Sequence, residues 1–152
     1  MDWTISREWN EGLLTLRHRT DEKIERMAAL AIFDGCSRKM LATIARLVDF
    51  VQVEAGTEVI RQGAYADQVV IVSKGRLRIE RDGAETGYAG KGEMFGEMQA
   101  LRRLPYPESL VATGSSEVAV IGAREFLDLL DTVPCLALKV LQRAAQRQQQ
   151  VA

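Results

Sequence analysis

Between Phe50 and Ile121 the chain is cut by glycine at short, regular intervals, and the pieces between the cuts are short and β-branched. Phe50–Val53, Glu58–Arg61, Val69–Val72 and Arg76–Glu80 are separated by Ala55-Gly56, Gln62-Gly63, Lys74-Gly75 and Asp82-Gly83, each a turn signal. Arg76 to Glu80 alternates polar and apolar as a half-buried strand does, and Asp82-Gly83 supplies the positive φ angles of a two-residue hairpin turn. Glu117–Ile121 closes the series. Many short strands bounded by glycine predict a β-roll or barrel.

Helices flank this region. From Asp21 to Phe33, Ile24, Met27, Ala28, Leu30 and Ala31 recur at helical steps, with Asp21 placed as the cap and Gly35 as the break. A second helix is predicted from Ser37, its cap, with Met40, Leu41, Ile44, Leu47 and Val48 on one face. After the strands, Phe126, Leu127, Leu129 and Leu130 form a short amphipathic piece. Pro134 then opens a longer helix, because a first-turn proline has no N–H to lose. Leu136 to Gln150 runs without glycine or proline and would extend ~22 Å. The first twenty residues fit two patterns. Ile5, Trp9, Leu13 and Leu16 make a helical stripe; Asn10-Glu11-Gly12 makes a hairpin loop with Leu14, Leu16 and His18 alternating after it. Gly12 would cost roughly 1 kcal/mol inside a helix, which favours the hairpin. The division is thus an N-terminal extension, 1–20, and one domain, 21–152, whose last helix starts near 134.

Composition narrows the function classes. A chain of 152 residues fits one compact domain, and a formal net charge of −1 lacks the basic excess of a protein that coats nucleic acid. The longest apolar run, Met27 to Phe33, is far below the ~20 residues of a membrane span, and no secretory signal pattern opens the chain. His18 is the only histidine and sits in Arg17-His18-Arg19. No nucleophile elbow, phosphate-binding glycine-lysine loop or metal-ligand spacing appears, so no enzyme activity and no metal are expected. Cys36 and Cys135 form no CxxC, which predicts neither zinc nor a disulfide framework. Each reads as a small packed side chain in a reduced, soluble, cytoplasmic protein.

Two segments carry a family resemblance that covers about 24–150. Arg61-Gln62-Gly63-Ala64-Tyr65-Ala66-Asp67, followed by a strand and Lys74-Gly75, resembles the Gln-Gly-x-x-Ala-Asp signature of the cyclic nucleotide-binding domain. Gly92-Glu93-Met94-Phe95-Gly96-Glu97-Met98 resembles its Gly-x-x-Phe-Gly-Glu-Leu. The resemblance implies an α+β, mainly β fold: an eight-stranded antiparallel, jelly-roll-like β-roll with N-terminal helices and a C-terminal helix. It also implies where a ligand would lie. A short helix here, Met98 to Leu101, would aim backbone N–H groups of residues such as Met98 and Gln99 at a cyclic phosphate. Gly96 would let the backbone approach closely, and Glu97 would accept a hydrogen bond from the ribose hydroxyl.

The chain then departs from the family. Where the pattern continues Pro-Arg-Ser/Thr-Ala, this sequence reads Pro105-Tyr106-Pro107-Glu108. The arginine forks onto the phosphate and neutralises it; Tyr106 offers one neutral donor, Pro107 neither a hydroxyl nor an N–H, and Glu108 a repelling charge. Truncating one partner of a buried charge pair costs about 2–5 kcal/mol, roughly 30- to several-thousand-fold in affinity. Arg102 or Arg103 in the same loop would have to compensate. Cyclic AMP or GMP is therefore expected to bind weakly or not at all, and no cofactor is expected.

In transcription regulators of this family the long helix leads into a DNA-reading helix-turn-helix. This sequence stops at Ala152, so no direct DNA binding is expected. Lys139, Arg143 and Arg147 form a basic stripe, and Leu138, Leu141 and Ala145 an apolar one. The expectation is a regulatory module with a degenerate phosphate cassette. It would act through protein contact, with a partner protein or as a homodimer through the last helix.

Overall fold

The computed structural model describes residues 20–151, with side chains from 21 to 146. The hairpin or helix expected before Thr20, with Trp3, Trp9 and His18, lies outside them. Two helices come first: α1, Thr20–Ala28, and α2, Arg38–Ala45, with a 3-10 turn at Ala31–Phe33 between them. Eight strands follow: β1 (Val48–Val53), β2 (Glu58–Ile60), β3 (Gln68–Lys74), β4 (Leu77–Arg81), β5 (Ala84–Ala89), β6 (Met94–Phe95), β7 (Ser109–Ala112) and β8 (Ser116–Gly122). Between β6 and β7 lies α3, Glu97–Arg102, and after β8 come α4, Ala123–Thr132, and α5, Pro134–Val151. The strands form two four-stranded antiparallel sheets, ordered β1-β8-β3-β6 and β2-β7-β4-β5. This is the eight-stranded roll with flanking helices.

Two cores explain the strand sequences. One face of the first sheet puts Phe50, Val69, Ile71, Ala119 and Ile121 against Met27, Leu30, Phe33, Ile44, Phe126 and Leu136 of the helices and the 3-10 turn. Its other face puts Val51, Val70, Val72, Val118 and Val120 against Val59, Leu77, Leu110 and Ala112 of the second sheet. With both faces buried, β3 and β8 read as continuous apolar runs rather than alternating ones. The Asp82-Gly83 turn forms as predicted, with φ of 55° and 81° and Arg81 opposite Ala84.

Several boundaries are corrected. The first helix ends at Ala28, not Phe33: Leu30 N–H returns to Met27 O (2.9 Å) and the 3-10 turn takes over, still burying Ile32 and Phe33. Ser37 caps α2, its hydroxyl accepting from Met40 N–H (3.2 Å), but Leu47 lies beyond that helix and Val48 opens β1. The short helix after Gly96 begins at Glu97 rather than Met98.

The reading of both cysteines as packed thiols is also corrected. Cys36, in the loop before α2, and Cys135, in the first turn of α5, are joined by a disulfide with Cα atoms 5.4 Å apart and a separation of 99 positions in sequence. The two helix starts lie at the same end of the roll, a proximity that sequence spacing does not carry. No helix among the described residues is long and apolar enough to cross a membrane.

Candidate functional site

The site is built where β6 runs into α3. Gly96 makes the corner in the left-handed region, φ 91°, and a Cβ there would lie 2.8 Å from Gln68 O and 3.1 Å from Tyr106 Cε1. Only glycine permits both the turn and that approach. After six helical residues the helix stops at Arg103, itself left-handed at φ 56°. The following loop is strapped to residues 63–65: Tyr106 N–H donates to Ala64 O (2.9 Å), and Gly63 N–H donates to Tyr106 O (2.8 Å). The Gln-Gly segment thus shapes the site by holding this loop.

Tyr106 is the centre of the arrangement. Its side chain is 2% exposed. The phenol donates to Gln68 O (2.6 Å) and accepts from Gln68 N–H (3.1 Å), closing both backbone groups at the start of β3. Burial raises its pKa well above the usual 10.0, and the Asp67 carboxylate pushes the same way, so the phenol is a neutral group whose one proton is already committed.

That burial has an alkaline signature. Unfolded chains lose the phenolic proton near 10.0 while the folded protein keeps it, so the stability contribution is complete below that pH and is lost as pH rises above it. Tyr106→Phe is expected to cost about 1–3 kcal/mol at neutral pH by orphaning the Gln68 groups. The gap between wild type and variant should then shrink from about pH 9 to about pH 11, at up to ~1.4 kcal/mol per pH unit. Denaturant unfolding at the two pH values measures it, and a constant gap contradicts the assignment.

Beside the phenol is a cavity of about 50 Å³ lined by Ile60, Phe95, Gly96, Gln99, Tyr106, Pro107, Glu108 and Leu110, against roughly 300–1,000 Å³ for sites that enclose a drug-sized ligand. Of the residues singled out in the sequence, Gly96, Gln99 and Tyr106 line this one cavity. Arg102 and Arg103 are exposed and outside the lining, and Met98 is half-buried away from it. Glu97 does not line the cavity either. It is fully buried, its carboxylate 4.0 Å from the guanidinium of Arg143 on α5, and Arg143 also donates to Met94 O (3.2 Å). The lining holds no cationic side chain, and its one carboxylate, Glu108, lies 3.7 Å from Arg81 of β4.

Sequence reasoning placed Arg143 in a surface stripe and missed its approach to Glu97. The two are far apart in the chain, and helical spacing alone cannot say which face of α5 turns inward. Ile60 and Leu110 were also missed; their strands are placed on the cavity by sheet pairing, Ile60 opposite Leu110.

Comparison with known proteins agrees with this architecture. The family model described as the cyclic nucleotide-binding domain matches residues 50–133. Lysophospholipase nte1 of Aspergillus fumigatus is 32% identical over 114 residues, a stretch that takes in 72% of this chain and 8% of that protein. The chain thus spans less than a tenth of the length of the curated relatives it matches. Among solved structures, a cAMP-binding acyltransferase from Mycobacterium smegmatis is 27% identical with a TM-score of 0.70, covering 84% of this chain and 41% of that one. The regulatory subunit of a cAMP-independent protein kinase A from Trypanosoma cruzi, bound to guanosine, is 22% identical with a TM-score of 0.71, covering 84% of this chain and 46% of that one.

Proposed function

Since the chain belongs to the cyclic nucleotide-binding domain family, we propose that it is a regulatory, non-enzymatic module of that fold whose phosphate cassette does not grip a cyclic phosphodiester. It works through protein contact. One observation carries the reading: Tyr106, in the arginine's place, is buried with its hydroxyl committed on both sides to Gln68. A phosphate entering here would leave water without meeting a cation, and a desolvated charge without a partner is costly. The exposed placement of Arg102 and Arg103 gives no support to a rescue by either. For the contact surface, Leu138 and Leu141 stand 56% and 67% exposed on α5, which supports a partner protein or a second copy on that face.

A second reading has its own support. Gln99 and Glu108 are polar groups suited to hydroxyl and amide donors rather than to an anion, and the structural relative from Trypanosoma cruzi is bound to guanosine, which has no phosphate. On this reading the ligand is an uncharged nucleoside, and the cavity of about 50 Å³ opens to admit it.

Calorimetric titration with cyclic AMP, cyclic GMP and guanosine separates these. The first reading expects no saturable heat from either cyclic nucleotide, and saturation by guanosine alone selects the second. A low-micromolar dissociation constant for cyclic AMP or GMP overturns both.

A further inference from the structure

The disulfide stands outside everything the cassette requires. Cys36 lies one residue before the Ser37 cap of α2, and Cys135 is the second residue of α5. The bond therefore ties the helical segment that precedes the roll to the helix that follows it, closing a loop of 99 residues around all eight strands. Both cysteines are half-buried rather than sealed in the core. The Met40 thioether lies 3.6 Å from the Cys135 sulfur, at the surface.

Among the described residues of α5, two side chains are buried. Leu136 and Val140 are buried in the helix-side core, with Val133 just before the helix, and Arg143 reaches Met94 O and Glu97. Ala145 and Gln146 are already exposed. An element with few buried contacts sits at the low end of local stability, where one added constraint decides how often it opens.

We propose that Cys36 and Cys135 are a reversible redox site, addressed by low-molecular-weight disulfides of the glutathione class, that fastens or releases the first turn of α5. Cys135 is the attacking sulfur, because the start of a long helix favours its thiolate. It attacks a sulfur of the small disulfide, forming a mixed disulfide and expelling one small thiolate. Cys36, having given up its proton to solvent, attacks the Cys135 sulfur and expels the second small thiolate. Two protein thiols are oxidised by two electrons, and one small disulfide is reduced to two thiols. The oxidised state pins α5 and with it Arg143 beside Glu97, so the redox state reaches the rim of the cassette whatever that cassette binds.

The test uses the full chain, equilibrated with graded ratios of reduced to oxidised glutathione and then trapped by alkylation, with mass spectrometry counting free thiols. Hydrogen exchange is followed in parallel. Expected is a reversible passage between dithiol and disulfide across the glutathione range. On reduction, exchange in α5 should rise about tenfold or more while β3 and β8 stay protected. Cys36→Ser and Cys135→Ser should show the fast α5 exchange at every ratio, although the wild-type titration decides the matter without them. A bond that never opens in excess reduced glutathione, thiols that never pair in excess oxidised glutathione, or equal α5 exchange in both forms each overturns the proposal. No nucleotide enters the measurement, so its outcome is separate from that of the calorimetric titration.

Discussion

Replacing Arg26 with methionine is expected to cost about 3 kcal/mol of folding stability, lowering the thermal midpoint by on the order of 10 °C. The reason is Glu117, which is fully buried near the start of β8, between β1 and β3 of the first sheet. One carboxylate oxygen accepts from Ser73 Oγ at 2.9 Å. The other accepts from Gln52 Nε2 at 2.7 Å and faces Arg26 NH1 at 3.0 Å. Three adjacent strands and α1 therefore converge on one anion. Ser73 reaches it from an irregularity in β3, where pairing with β8 slips between Val72 and Lys74, as a bulge re-aims a side chain. Arg26 supplies the only full positive charge among these partners, and its guanidinium also lies 5.3 Å from the centre of the Phe50 ring. Methionine keeps much of the stem but leaves the carboxylate facing neutral donors alone.

Because the Arg26 side chain is 34% exposed, water can partly fill its place, which sets the loss near the low end of the ~3–5 kcal/mol for broken buried pairs. Adding Glu117→Gln to Arg26→Met removes the stranded charge and should recover part of the loss. Denaturant unfolding of the two single variants and the double variant closes the cycle. A loss below ~1 kcal/mol for Arg26→Met would class the pair with ordinary surface ion pairs.

That network shows where the sequence could be read and where it could not. β3 and β8 announced themselves because burial on both faces demands unbroken Val and Ile, and Ser37 announced its helix because a cap is a local matter. β5 did not: Ala84–Ala89 pairs with β4 alone and is largely exposed, so nothing selects a hydrophobic alternation. β6 is two residues long, too short to carry a pattern. The Glu117 network, the Glu97–Arg143 approach and the Cys36–Cys135 bond all join residues more than forty positions apart. Such pairings are set by topology, which periodicity does not report. In the cassette, the identity of Tyr106 was legible and what it does was not. Its missing positive charge followed from side-chain chemistry; the closure of the Gln68 backbone by its hydroxyl required the fold.

The triple substitution Tyr106→Arg, Pro107→Ser and Glu108→Ala is expected to raise affinity for cyclic AMP by roughly 30- to several-thousand-fold. Each change answers a separate deficit. Arginine brings a planar cation that can fork onto two phosphate oxygens. Serine restores both a hydroxyl and a backbone N–H that proline lacks. Alanine removes the one carboxylate of the cavity lining, leaving Arg81 without the partner now 3.7 Å away. The gain must be set against a loss, because Gln68 gives up the hydroxyl that now closes both its backbone groups, so the unliganded variant should melt below wild type. Ligand that binds only the folded state repays such a loss by about 2.7 kcal/mol at a hundred times the dissociation constant. A thermal-shift series therefore reads the effect directly: cyclic AMP should raise the midpoint of the triple variant and leave wild type unmoved, and in the triple variant its shift should exceed any given by adenosine, which has no phosphate. If the triple variant folds and still ignores cyclic AMP, the missing cation is not what silences the site. The obstacle would then be the cavity itself, only about 50 Å³ in volume, with the Glu97 carboxylate turned toward Arg143 instead of toward a ribose.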